Sequence, residues 1–430
     1  MKKLLPFLAL LLTLSSRAQI RITEINYNSD STVNSSNWFE LHNAGASAVS
    51  LNGWTAKPHS FPTSFSFPNG TTMQPGAYLV VVSNDTEFTA IHPSVSNFVG
   101  NTPFQLNNTA DTIELYDNSS TLVESVAYFD SIPWLKGADG FGRTLEVVNE
   151  NGNANDPHNW FNGCMFGSPG TAYTPCNDPI VVNEINYSSN VNIDAGDWIE
   201  LYNRTNSTIS LNGYSLKDDN DTHIYFFPVN ASLPAHGFLV AYSDYLKFHA
   251  RHPNALNIAG PFSFGYGKTD AVRIFSPAGK LMFSVAYRDS LPWNWMASGA
   301  GYTLELVTSA QTGHIQDPAN WICCTLEGSP LAFTGCAAGV EENDMLPVDM
   351  TVLGNPIAQH QLCLQCRGDA FLLHQSRLDI RSLNGSLICS FPHPETQNTL
   401  ALPALPDGIY FIQLVLNGKT LVTRKFVKND

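Results

Sequence analysis

Hydrophobic residues along this chain fall in short β-branched or aromatic runs. Each run is bounded by Asn, Gly, Pro, Ser or Asp, the residues that punctuate turns. On that pattern residues 21–27, 38–43, 78–83, 112–116 and 122–128 read as strands. A 3.6-residue apolar period is absent over any long window, and the best helix candidates are short, at 85–91 and 244–251. The prediction is an all-β fold of packed sheets.

The same pattern is written twice. Residues 20–57 return at 180–217 without a gap, and 15 of the 36 positions from 22 to 57 are identical. The register persists through Phe67-Pro68 and Phe227-Pro228, then His92-Pro93 and His252-Pro253. After a one-residue slip, Asp156-Pro157, Trp160 and Gly167-Ser168-Pro169 recur as Asp317-Pro318, Trp321 and Gly328-Ser329-Pro330. Two homologous domains follow, 19–177 and 178–337. Residues 338–351 are polar and contain Gly and Pro, as a linker would. From 352 to 430 the pattern becomes a run of hairpins, with Asn384-Gly385 and Asn417-Gly418 as type I′ turn signals between alternating runs.

Several motifs recur in fixed order: Glu24-Ile25-Asn26-Tyr27, Trp38-Phe39-Glu40-Leu41, Leu51-Asn52-Gly53-Trp54, and their copies from Glu184, Trp198 and Leu211. In this order they resemble the lamin-tail domain as found in secreted bacterial proteins. The closing Thr-Leu-Glu, Asp-Pro-x-x-Trp and Gly-Ser-Pro pattern is similar to bacterial members of that family. The resemblance implies an immunoglobulin-like β-sandwich in each repeat, with no catalytic residues to carry over. The tail, 352–430, resembles the type A sorting domain of the type IX secretion system. Its carrying residues are Val352 to Pro356 with Gly354 in place of the usual Pro, Leu378-Asp379-Ile380, Asp407-Gly408-Ile409-Tyr410 and the basic end Arg424 to Lys428. That resemblance implies a small terminal β-sandwich with the type IX secretion machinery as its partner.

Charge and the amino terminus narrow the destination. Met1-Lys2-Lys3, an apolar run over 4–14 and Ser16 with Ala18 make a secretory signal over 1–18, cleaved before Gln19. About eleven apolar residues are too few to span a bilayer, which needs roughly 20, and no later stretch approaches that length. The expected product is secreted, extracellular or held at the outer cell surface. The net charge is -15, and residues 19–342 hold 12 basic against 30 acidic side chains. A surface that tracks phosphates needs clustered Lys and Arg, so nucleic acid is not an expected partner.

The candidate chemistry is sparse. Glu24 with Glu40, and Glu184 with Glu200, place carboxylates on neighbouring strands, a pairing that glycoside hydrolysis could use and that loop anchoring explains as well. Asp218, Asp219 and Asp221 offer hard oxygen ligands for calcium, although the first repeat has no carboxylate there. His249 and His252 are too few for zinc, and His92 and His252, each before Pro, are expected to be structural. Trp134 and Trp293 recur in Ser-x-Pro-Trp, and Trp295 has no counterpart; as loop aromatics they are candidate binding residues, or else core plugs. Eight cysteines meet an oxidising compartment. Cys164 with Cys176, and Cys336 with Cys323 or Cys324, are candidate staples for each repeat's closing loop. Cys363, Cys366, Cys389 and His393 superficially resemble a zinc pattern, with a disulfide or unbonded thiols as the alternative. No cofactor motif is present, and neither a nucleophile elbow nor a phosphate-binding glycine loop occurs. The sequence therefore points to a non-enzymatic binding or structural protein for an extracellular protein or glycan. The alternative is a secreted hydrolase built around Glu40 or Glu200.

Overall fold

The computed structural model describes residues 19–290, 292–307, 315–333, 349–353, 361–367, 373, 376–382, 385–416 and 419–428. The signal segment 1–18 and the linker up to 348 lie outside them. Contacts divide the chain into two compact units after Ala338. Both repeats belong to the first.

Each repeat is a β-sandwich of the same topology. In the first, a six-stranded sheet runs in the order Trp160–Asn162, Leu145–Val147, Ile20–Asn26, Trp38–Asn43, Tyr78–Val82, Phe98–Gly100. A four-stranded sheet of Leu122–Phe129, Ala110–Tyr116, Thr55–Pro58 and Phe65–Ser66 packs against it. The second repeat reproduces both orders strand for strand. The core between the sheets holds Ile25, Phe39, Leu41, Leu115, Val126 and Tyr128, with the stacked Tyr27–Tyr128 pair recurring as Tyr187 and Tyr287. The outer face of the larger sheet carries Trp38, Val80 and Val82 under the helix Asp85–Ile91. Asn84 caps that helix, and Asp244 caps its copy Tyr245–Arg251, by accepting from first-turn N–H groups.

The two repeats meet head to tail. In the first repeat the strands of the four-stranded sheet alternate between buried and part-exposed residues, as a sheet with one solvated face should. In the second, Thr269–Phe275 and Leu281–Arg288 are buried almost throughout. The cover comes from the first repeat. Val33 and Met165 pack on Phe275 and Leu281, and Phe141 packs on Ala271 and Ala286. Arg143, 1% exposed, donates from Nε and Nη2 to the Ser284 carbonyl (3.2 and 2.9 Å) and from Nη1 to Gly163 O (3.0 Å). Burial pulls its guanidinium down to about 10. Ser284 Oγ donates back to Phe141 O.

The second unit, described by itself, holds a three-stranded sheet (Asp349–Leu353, Gln361–Arg367, Gln397–Ala401) and a four-stranded one. In the latter, Arg377–Ser382 pairs with Leu387–Pro392, and Gly408–Leu416 with Lys419–Lys428, as the two Asn-Gly signals predict. Asn384 and both residues of the second turn lie outside the described residues. Throughout, the architecture is all-β immunoglobulin-like sandwiches in tandem, followed by a smaller β domain.

Candidate functional site

The strongest concentration of unusual chemistry is a buried glutamate triad on the outer face of each larger sheet. Glu24 faces Glu40 across one strand pair and Glu146 across the next; Glu184 faces Glu200 and Glu305 in the same way. A β-bulge follows Ile22 and Val182, so an extra residue is accommodated beside each central glutamate. That residue serves the triad. Thr23 Oγ1 donates to Glu40 (2.7 Å), and Asn183 Nδ2 donates to Glu200 (2.9 Å).

The triads anchor the closing loops. Ser168 N donates to Glu24 (3.0 Å) and Gly170 N to Glu40 (2.6 Å), while Thr144 Oγ1 also donates to Glu24 (2.6 Å). In the second repeat Ser329 N and Thr303 Oγ1 serve Glu184, and Leu331 N serves Glu200. The glycine of Gly-Ser-Pro follows directly. Gly167 and Gly328 have φ of 80° and 85°, and a Cβ at either would collide with the central carboxylate.

The third glutamates differ. Glu305 accepts from Cys324 N, Thr325 N, Thr325 Oγ1 and Ser329 Oγ (3.3, 2.7, 3.2 and 3.2 Å). Glu146, 4% exposed, accepts one long bond from Ser168 Oγ (3.3 Å) and shares another with Glu24. Desolvation, then the charge on Glu24, pushes Glu146 to about 10 and Glu40 to about 9. Glu24 rises less, to about 7, because Thr144 and Ser168 oppose the effect of burial. Burial also raises Glu184 and Glu200. Sequence reasoning found four of these six carboxylates. It missed Glu146 and Glu305, whose signal was the recurring Thr-Leu-Glu on strands only three residues long.

Other candidates fare differently. Trp134 and Trp293 are core plugs, 4% and 3% exposed and packed on Trp160 and Trp321, so neither offers a ring face to a ligand. Trp295 stands half-buried on a short 3₁₀ turn. The calcium candidates do not converge. Asp218 accepts from His223 and Asn220, Asp219 lies 3.6 Å from Lys136, and Asp221 pairs with Arg273 and Lys217. Among the described residues no group of His, Cys, Asp or Glu is arranged to hold a metal. His252 packs against Trp198 and Phe248, as His92 does against Trp38 and Phe88, while His249 stacks on Tyr245.

Cys164 and Cys176 form a disulfide, Cα to Cα 5.3 Å, around the loop that covers the first triad. Cys324 is also disulfide-bonded, while Cys323 stays a buried thiol; Cys336 lies outside the described residues. Cys363 and Cys366 share one sheet of the second unit and Cys389 lies in the other, all as thiols. Reducing the first disulfide, or Cys164→Ala with Cys176→Ala, should cost about 2–4 kcal/mol. Calorimetry of the oxidised and reduced chain measures it; an unchanged Tm would show that the triad alone holds the loop.

Comparison with known proteins decides the family. The sequence profile described as Lamin Tail Domain matches residues 13–130 and 174–289, together more than half of the chain. This chain belongs to the lamin-tail domain family. The match is doubled, as the repeat requires, and lamin-tail domains are immunoglobulin-like and non-catalytic. No curated protein matches the sequence. Among solved structures, a biofilm-associated protein BSP domain aligns at 11% identity over 96% of this chain and 81% of its own, with a TM-score of 0.21. PorZ, titled an essential bacterial surface component of the type-IX secretion system of Porphyromonas gingivalis, aligns at 10% identity over 95% of this chain and 45% of its own, TM-score 0.17. Among the described residues, no helix of this lamin-tail protein is long and apolar enough to cross a membrane.

Proposed function

We propose that this is a secreted or cell-surface binding protein without enzymatic activity, displaying two lamin-tail repeats and exported through the type IX secretion system. The observation that carries the reading is the state of the glutamates. Both oxygens of Glu40 are engaged, by Thr23 and Gly170, and both of Glu200, by Asn183 and Leu331. A hydrolytic carboxylate must reach substrate or water, and these are committed to holding a loop. The domain boundaries at 19–177 and 178–337, with the linker 338–351 and the sorting domain 352–430, are part of the same reading. Extracellular protein or glycan is the partner class, with the half-buried Trp295 as the first aromatic to test.

A glycan and protein array probed with the full chain tests the binding reading, with Glu40→Gln and Glu200→Gln beside it. Binding without turnover by the parent chain and retained binding by Glu200→Gln are the expected results; turnover lost in either variant would revive the hydrolase. Deleting 343–430 should abolish delivery to the surface. If the truncated chain still arrives there, the sorting assignment is wrong.

A further inference from the structure

The two repeats serve as controls for each other, and one of their differences lies in the closing loop. In the second repeat the closing loop brings Phe333 onto Tyr202 and Phe238, with ring centroids 4.9 Å apart in both pairs. Tyr202 and Phe238 are the counterparts of His42 and Tyr78 in the first repeat. In the first repeat the loop from Ser168 to Cys176 is one residue longer than that from Ser329 to Cys336. Its aromatic, Tyr173, turns onto Phe161 instead (4.9 Å). Beside Tyr78 the first repeat has a cavity of about 430 Å³, lined by Glu40, Tyr78, Glu146, Glu150, Ala172 and Tyr173 among others. Its size falls within the range of small-ligand sites, roughly 300–1,000 Å³.

The chemistry of the walls is one-sided. Three carboxyl groups line the cavity and no Lys or Arg does. Tyr78, stacked on His42 at 4.2 Å, forms an aromatic wall, and His42 in turn contacts Glu150 at 2.6 Å. Burial, then the charges of Glu150 and Glu40, lift the Tyr78 hydroxyl to about 12. Glu146 is the buried group with acceptor capacity to spare, whereas its copy Glu305 is saturated by four donors. A bound cation would satisfy Glu146 and replace the proton the cluster otherwise keeps.

We propose that this cavity of the first repeat binds a primary ammonium or guanidinium group, and that Phe333 has closed the corresponding site in the second. The proposal deepens the binding-protein reading and rests on it. The group could come from a Lys or Arg side chain of a partner protein or from a free polyamine. An aromatic wall beside carboxylates suits either.

The test is ligand-observed NMR and calorimetry on the full chain with n-butylammonium, methylguanidinium, Nα-acetyl-lysine methylamide, spermidine and glucose. Saturable binding of the cations, one site per chain, is expected, with no response to glucose. Glu150→Gln, at a part-exposed loop position, should weaken cation binding about tenfold, the loss of one charge-assisted contact. Ala172→Phe, at an exposed position, imports the ring of Phe333 and should abolish it. Binding of the lysine derivative identifies a side-chain ligand; binding of spermidine without it identifies a free amine. Glucose binding in place of the cations overturns the proposal while leaving a binding protein. Cation binding unchanged in Ala172→Phe, or no saturable cation binding, overturns it outright. Hydrolysis of an array ligand would instead defeat the parent reading.

Discussion

The full chain is expected to lose thermal stability as pH rises from 6 to 10, and Glu146→Gln to remove a large part of that loss. The sign follows from the triad. Glu24, Glu40 and Glu146 titrate in the folded protein at about 7, 9 and 10, all above the ordinary carboxylate value of 4.5 that applies once the chain unfolds. Between those limits the folded state holds more protons than the unfolded one. Their contribution is therefore complete below about pH 4.5 and is lost as pH climbs through the folded values. The loss should reach on the order of 5 °C in Tm by pH 10. Gln at 146 reproduces the protonated carboxyl: its amide donates to Glu24, and its oxygen accepts from Ser168 Oγ. The variant should match the parent only below about pH 4.5 and exceed it by a margin that grows from pH 6 to pH 10. Calorimetry across that range decides, and parallel slopes for the two proteins would count against the triad as the source.

The second large effect is expected at the junction between repeats. Arg143→Met removes three hydrogen bonds and leaves the Ser284 and Gly163 carbonyls without their donor in a buried interface. The cost should be about 2–4 kcal/mol. It should fall on the coupling between repeats rather than on either core. Denaturant unfolding of the parent is expected to show the two sandwiches melting together, and the variant to show them separating into two transitions. Arg143→Lys keeps the charge but not the fork that reaches two carbonyls, so it should resemble the Met variant. A single transition at the parent's midpoint in both variants would mean that the apolar contacts of Phe141 and Met165 suffice.

The long strands were legible because their β-branched and aromatic runs extend over five or more residues between turn residues. Tyr78–Val82 and Ala110–Tyr116 agree with the expected runs to within two residues at each end. Both helices fall where the short candidates were placed, and each begins behind a side-chain cap. Strands of two or three residues carry no period, so the one bearing Glu146 could be read only as a recurring motif. The tryptophans were ambiguous for a different reason. Recurrence before and after duplication marks a ligand platform and a core plug equally, and only burial separates Trp134 and Trp293 from the half-buried Trp295. The covered outer face of the second repeat was likewise hidden, because its cover comes from residues more than a hundred positions earlier.

A head-to-tail contact between homologous domains has no built-in end: if every copy kept both faces, chains could add to one another as an open fibre. Divergence works against that here. Gly-Phe-Gly-Arg at 140–143 has become Gly-Ala-Gly-Tyr at 299–302, so the second repeat lacks the guanidinium that grips a neighbour's strand. On the receiving side, Thr112 and Glu114 stand in the first repeat where the second has Ala271 and Arg273. One junction keeps its fit, and the second repeat carries no guanidinium with which a further chain could copy it.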